Sequence, residues 1–144
     1  MIISLEIDAT SETVWASLEE ISSHVEWMKD AESIRFRTDS HTGVGTVFEC
    51  ATRVGPIRLT DVMSVTEWVP RQSMGVEHRG LVRGAGRFSL EPRTGKSATC
   101  LSWTENLSFP WWLGGPIGER LSRPILRRIW RGNLVRLKRL VEKA

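Results

Sequence analysis

The chain has 144 residues, of which 40 % are hydrophobic and 26 % are charged, and its formal net charge at pH 7 is +3. This size and composition predict a single domain over residues 1–144 that can bury a substantial core. The sequence has neither a basic N-terminus leading into an apolar run nor about 18 consecutive apolar residues, so we expect a cytoplasmic protein with no signal peptide or membrane span.

The charge is distributed unevenly along the chain. Residues 119–144 contain nine basic and two acidic side chains, so the rest of the chain is net negative. A basic C-terminal segment could contact an anionic membrane surface or nucleic acid, or it could form a solvated outer face. Nucleic acid is the weakest of these partners, because aromatic residues are not interleaved with the basic ones.

Cys50 and Cys100 lie in separate strand-like segments without the spacing of metal ligands. This pattern predicts two reduced thiols. We therefore expect no metal site, and no sequence motif calls for a cofactor.

The first predicted elements are a strand and a helical corner. Ile3, Leu5 and Ile7 alternate with polar residues, which is typical of a half-buried strand. Thr10 or Ser11 can then cap a helix with an inward apolar face, and a second short helix is expected around residues 25–28. His24 and His41, in the corner and in a later loop, are expected at the surface.

The middle of the chain has the pattern of short strands and tight turns that is typical of an antiparallel sheet. Short segments rich in apolar and β-branched residues are separated by Gly and Pro turns. They predict six further strands, at residues 34–38, 46–53, 57–69, 73–79, 81–91 and 98–107. Gly84 and Gly86, two apart in one strand, indicate a bend or a close backbone approach.

The last predicted element is a long amphipathic helix, with its main body over residues 123–142. Ile125 and Ile129 belong to an apolar face that covers half of the circumference, and arginines occupy the other half. So wide an apolar face suits a helix held by a curved sheet. Pro124 predicts a kink or a break that divides the helix into two parts.

Four short motifs, in their order and spacing, carry a family resemblance. They are Ile7-Asp8-Ala9-Thr10-Ser11-Glu12-Thr13-Val14-Trp15, Gly43-Val44-Gly45-Thr46, Val65-Thr66-Glu67-Trp68-Val69-Pro70 and Leu101-Ser102-Trp103-Thr104-Glu105. With these motifs the whole chain resembles the START-like (SRPBCC) superfamily, and especially its polyketide cyclase/dehydrase-type members. The resemblance implies an α+β helix-grip fold, in which a seven-stranded curved antiparallel sheet wraps around the C-terminal helix, with two short helices after the first strand and a hydrophobic cavity inside.

Three ionisable residues share the inward phase of their strands. Asp61 is in phase with Leu59 and Met63, His78 with Met74 and Val76, and Glu105 with Leu101 and Trp103. Such groups are costly to bury without partners, so Asp61, His78 and Glu105 are candidate catalytic residues for proton transfer. The alternative is that each is partly solvated or belongs to a structural hydrogen bond.

The expected ligand-binding residues are large apolar side chains of the strands, the last loop and the last helix. They are Met63, Met74, Val76, Phe88, Trp103, Trp111, Trp112, Ile125 and Ile129. For Trp111 and Trp112 three roles are open: a cap over the cavity mouth, an apolar lip that touches a membrane or partner, or a plug packed on the sheet.

These residues predict a protein, monomeric or homodimeric, that binds a hydrophobic or amphipathic small molecule such as a lipid or polyketide. A cyclase, dehydratase or hydrolase that acts in the same cavity is an alternative. Related cyclases commonly use a tyrosine and an arginine, however, and this chain has no tyrosine. A second alternative is a module that docks on an anionic membrane through its basic helix.

Overall fold

The alternating apolar segments form strands in the computed structural model, which describes residues 1–143. The elements are β1 Ile2–Ile7, α1 Ser11–Glu19, a 3-10 turn Ile21–Glu26, β2 Ala31–Phe36, β3 Val47–Val54, β4 Ile57–Val69, β5 Ser73–Arg79, β6 Arg83–Pro92, β7 Thr99–Ser108, a 3-10 turn Trp111–Leu113 and α2 Gly115–Lys143. The predicted α+β arrangement of seven strands, an early helical corner and a long closing helix is confirmed.

All seven strands belong to one antiparallel sheet with the order β1-β7-β6-β5-β4-β3-β2. The register shifts between Ala31 and Ser33 in β2 and between Val65 and Glu67 in β4. Irregularities of this kind bend a strand and increase its twist. The sheet therefore curves, and α1 and α2 pack against its concave side.

The C-terminal half of α2 carries the core contacts of the helix. Its large buried side chains all lie between Trp130 and Val141, and they pack with apolar residues of β1, β7 and α1. In contrast, Ile117 and Leu121 near the start of α2 are each 72 % exposed. The core therefore holds the C-terminal half of the helix most closely, and its contacts with the first half are limited to partly buried residues such as Leu126 and Ile129.

Several basic residues of α2 anchor it to the rest of the domain. Lys138 Nζ donates to the Glu6 carbonyl at 2.9 Å, and Arg136 Nε donates to the Trp27 carbonyl at 3.0 Å. Arg127 donates to the Ile2 carbonyl at 3.3 Å. Part of the basic face therefore satisfies backbone carbonyls of neighbouring segments.

α2 is one continuous helix of 29 residues that passes through Pro124, so the expected division into two helices does not occur. Pro124 cannot donate to the carbonyl of Arg120, but both residues are exposed and water can satisfy that carbonyl. Neither α2 nor another helix within residues 1–143 is long and apolar enough to cross a membrane.

The uneven grip on α2 predicts different costs for two identical substitutions. Leu134 is fully buried, whereas Leu140 in the same helix is 45 % exposed. Leu134→Ala should lower the free energy of unfolding by about 2 to 5 kcal/mol through lost burial and cavity formation. Leu140→Ala should change it by less than about 1 kcal/mol. Urea unfolding measures both, and equal losses would contradict this packing.

Candidate functional site

A cavity of about 310 Å³ lies between the sheet and the first part of α2. Four α2 residues spaced four apart, Gly118, Ser122, Leu126 and Trp130, line it on the helix side. The opposite wall is mainly apolar and comes from β2 to β7 and from the 3-10 turn after α1. Ile57, at the β3–β4 turn, lines the cavity and is also exposed, so the cavity reaches the surface at this end. Its volume is at the small end of the range for drug-sized ligands.

Asp61, His78 and Glu105 meet in the wall of this cavity and form a carboxylate–imidazole–carboxylate triad. His78 Nδ1 lies 2.9 Å from Asp61 Oδ2. His78 Nε2 lies 3.2 Å from Glu105 Oε2 and 3.3 Å from Glu105 Oε1. His78 and Glu105 are buried and Asp61 is mostly buried. The three candidates thus form one connected group.

The register of the sheet explains how residues from three strands come together. His78 on β5 is opposite Met63 on β4, and Asp61 is two residues away on the same face. Glu105 lies two strands from His78, on β7, and the intervening strand β6 places Gly86 opposite Glu105. Without side chains at Gly84 and Gly86, nothing separates the imidazole from the carboxylate.

Gly86 is required by this arrangement. A Cβ atom there would lie 2.7 Å from both oxygens of Glu105, which is too close for any real contact. Gly84 has a φ of 143°, and a Cβ there would lie 1.8 Å from the Asn106 carbonyl oxygen. The close backbone approach that the two glycines indicate in the sequence is therefore present, and it makes the triad possible.

Electrostatics keeps His78 protonated. Burial by itself lowers the pKa of His78, but the hydrogen bonds to Asp61 and Glu105 and the charges of both carboxylates raise it to about 10. At neutral pH both ring nitrogens therefore donate, one to each carboxylate. The imidazolium has no free ring nitrogen with which to accept a proton from a ligand. With both carboxylates ionised, the triad has one net negative charge.

The structure places the expected ligand-binding residues in two groups. Five of them line the cavity: Met63, Met74, Val76, Phe88 and Trp103. The other four, Trp111, Trp112, Ile125 and Ile129, are not part of its wall. The helical pattern predicts that the apolar half of the helix faces the cavity, whereas for Trp111 and Trp112 the sequence leaves open a cap, an exposed lip or a plug.

The reason is geometric. Ile125 and Ile129 each precede a lining residue by one position, which turns them about 100° away from the cavity. Ile125 is 58 % exposed, and Ile129 packs against the core. Trp111 and Trp112 form an exposed 3-10 turn beside Leu113, which does line the cavity, and they are 87 % and 49 % exposed. Neither indole is a buried plug.

His24 is a cavity residue that the sequence does not reveal. It is buried and lines the wall, contrary to its expected place at the surface. Its Nε2–H donates to the Leu18 carbonyl at 2.8 Å, and burial lowers its pKa to about 4, so it is neutral at pH 7. Ile21 and His24 are one turn apart in a 3-10 helix, and this threefold spacing was the available signal.

The two cysteines are free, and Cys50 lines the cavity. Burial raises the pKa of the Cys50 thiol to about 11, so the thiol is neutral. Among residues 1–143, no group of three or more His, Cys, Asp or Glu side chains is placed to hold a metal ion.

A curved antiparallel sheet that holds a long C-terminal helix over a cavity defines the helix-grip fold of START-like domains. The chain belongs to the family described as polyketide cyclase / dehydrase and lipid transport, whose model matches residues 3–142. Membership in this family and the cavity together indicate a ligand-binding domain. No curated protein matches the sequence significantly.

Solved structures share this fold at low sequence identity. The Zhui aromatase/cyclase from Streptomyces sp. R1128 has a TM-score of 0.76 at 11 % identity, with 99 % of this chain and 93 % of that chain covered. A START superfamily protein from Mycobacterium smegmatis has a TM-score of 0.72 at 14 % identity, with 97 % of both chains covered. A conserved protein from Geobacillus kaustophilus has a TM-score of 0.76 at 18 % identity, with 97 % and 93 % covered. Identities this low establish the fold alone.

The raised pKa of His78 predicts how stability depends on pH. Between the unfolded value near 6.5 and the folded value of about 10, the native state binds one more proton than the unfolded state. The stabilisation is complete below pH 6.5 and is lost as pH rises. From about pH 7 to about pH 8.5, the free energy of unfolding should therefore fall by about 2 kcal/mol.

The control for this prediction is His78→Gln, which should flatten the slope over the same range. This pH range lies above the range in which His24 titrates and mostly below that of Cys50, so neither group obscures the effect of His78 on the free energy of unfolding. Urea titrations at several pH values supply the data. A wild-type slope equal to that of the variant would mean that His78 is not held as an imidazolium.

Proposed function

We propose that this protein binds a hydrophobic or amphipathic small molecule, such as a lipid or a polyketide, in the cavity between the sheet and α2. The observation that carries the proposal is the combination of a cavity of about 310 Å³, a mainly apolar wall and one polar cluster within that wall. Burial of apolar ligand surface at roughly 25 cal/mol per Å² can supply useful affinity. The triad would meet the polar end of the ligand.

The cavity can be blocked without changing residues of the triad. Leu59 lines the cavity on the same face of β4 as Asp61, whereas Leu81 is exposed at the β5–β6 turn. Leu59→Trp should abolish the fluorescence increase of the neutral apolar probe N-phenyl-1-naphthylamine, because the indole would fill the space. Leu81→Trp is the matched control and should bind the probe as the wild type does.

Native mass spectrometry of the freshly purified wild type would then identify any co-purifying apolar ligand. If the wild type takes up neither the probe nor any apolar ligand, the proposal is wrong. If the two tryptophan variants lose probe binding equally, the ligand does not occupy this cavity.

Catalysis of a cyclase or dehydratase type is a second candidate, and the convergence of three ionisable groups in the cavity wall favours it. Because His78 is bonded through both ring nitrogens, a carboxylate rather than the imidazole would accept a proton from the substrate. Loss of water from a polyketide incubated with the protein would support this candidate in the same mass spectra.

A peripheral membrane contact at the Trp111–Leu113 turn, whose Leu113 lines the cavity, is part of the proposed function. Apolar side chains of the Trp111–Leu113 turn and the start of α2 are exposed, and they include Trp111, Ile117 and Leu121. Arg120 and Arg123 lie among them on the same stretch of helix and are also exposed. Indoles partition to the membrane interface, and arginine is attracted to anionic headgroups. An anionic bilayer therefore fits this surface, and a ligand could pass directly between bilayer and cavity.

Vesicle sedimentation tests this contact. The wild type should sediment with phosphatidylglycerol vesicles at low salt, less with phosphatidylcholine vesicles, and less at high salt. The double variant Trp111→Ala/Trp112→Ala should weaken binding by about tenfold or more, because two exposed indoles are removed. Val44→Ala is the control, since Val44 is also an exposed apolar residue but lies in the β2–β3 loop and does not line the cavity. Equal binding by all three proteins would contradict the proposal.

A further inference from the structure

The charged part of the cavity wall is acidic. Asp61 and Glu105 flank His78, and Asp30 also lines the cavity. Arg87 is the one Lys or Arg in the wall as the structure describes it, and its guanidinium donates to Glu67 at 2.7 Å on the outer face of the sheet. The side chains of β6 alternate, so Arg87 turns away from the cavity that Gly86 and Phe88 face. The one other cation in the described wall is the His78 imidazolium, and its two N–H groups are directed at Asp61 and Glu105, so a ligand inside would meet a net acidic wall.

Apart from the indole N–H groups of Trp103 and Trp130, the side-chain hydrogen-bond donors of the described wall are already engaged. The Ser122 hydroxyl donates to the Glu119 carbonyl at 3.0 Å, and the Thr52 hydroxyl donates to Cys50 Sγ at 3.7 Å. His24 donates to a backbone carbonyl, and both N–H groups of His78 donate to the triad carboxylates. An anionic headgroup placed at the triad would therefore lose its hydration shell and find no free donor on His78 in return.

The carboxylate oxygens of the triad, by contrast, can accept further hydrogen bonds. Asp61 accepts from His78 through Oδ2, which leaves lone pairs on Oδ1. Glu105 directs both of its oxygens at a single N–H group of His78. An ammonium or hydroxyl group of a ligand could donate to these oxygens, and a charge-assisted hydrogen bond is stronger than a neutral one.

We propose, on the basis of the ligand-binding function, that the cavity selects amphipathic molecules with a cationic amine or a neutral hydroxyl at the polar end and rejects carboxylates. The apolar wall binds the chain or ring of the ligand, and the carboxylates of the triad bind its donor group. Like charges repel strongly in a desolvated site, so a fatty acid anion is a poor ligand for this cavity.

Three decyl compounds with the same chain test the preference directly. Displacement of N-phenyl-1-naphthylamine from the wild type at neutral pH should give the affinity order decylammonium, then decanol, then decanoate. The first should bind at least about tenfold more tightly than the last, because only the ammonium gains charge-assisted hydrogen bonds. This comparison needs no variant, so it does not depend on the folding of a mutated protein.

A pair of charge-matched variants locates the source of the preference. Glu105→Gln removes the net negative charge of the triad, and it should reduce the preference for decylammonium over decanoate by about tenfold. Glu77→Gln changes the net charge of the protein equally, but Glu77 is exposed on the outer face of β5 beside Arg79. The preference of that control should equal that of the wild type. Asp61→Asn replaces Glu105→Gln if the latter does not fold.

The outcomes separate this inference from the function on which it rests. If decanoate binds as tightly as decylammonium, or if Glu77→Gln and Glu105→Gln shift the preference equally, the charge selection is wrong. If none of the decyl compounds displaces a probe that does bind, the selection is again wrong but the apolar site stands. If the probe itself does not bind, the proposed function fails as well.

Discussion

The core and the cavity of this domain both depend on one constraint, which is that the sheet packs closely against only part of α2. Trp130, Leu134, Leu137 and Val141 fix the C-terminal half of the helix against β1, β7 and α1. The first half of α2 has no comparable set of large buried side chains. The space beneath that half becomes the cavity, and the stability of the domain is concentrated away from its ligand site. Because the core and the cavity lie in different parts of the domain, the cavity does not disrupt the close packing of the core.

The triad is the costly feature of the cavity. Burial of two carboxylates and an imidazolium carries a desolvation penalty that their mutual attraction only partly offsets, so such groups rarely serve stability alone. The sheet provides exact positions for all three, on β4, β5 and β7, and omits the side chains of β6 that would separate them. A rigid sheet of this kind holds charges where solvent cannot reorganise around them. This arrangement favours recognition of a polar group over general solvation.

Strand phase was enough to predict which face Asp61, His78 and Glu105 occupy, because alternation is a local property of extended backbone. It could not predict that they touch, since contact depends on the pairing of strands far apart in sequence. Gly84 and Gly86 of β6 are the sequence signal for this contact, because side chains of β5 and β7 can meet across a strand that has no side chains between them. The helical wheel of α2 was less informative. It defined an apolar half too wide to tell which positions line the cavity, so Ile125 was expected there, whereas the lining follows the row that contains Ser122 and Leu126. His24 was misplaced because a 3-10 turn does not follow the periodicity of an α-helix or a strand.

Gly86 and Glu105 also restrict how this sequence can vary. The oxygens of Glu105 occupy the volume that any other residue at position 86 would need. A side chain at 86 alone would displace the Glu105 carboxylate, and a shorter residue at 105 alone would leave a gap beside His78. A larger residue at 86 is therefore compatible with a shorter one at 105. Descendants of this chain that shorten residue 105 should be found with a side chain where the glycine was.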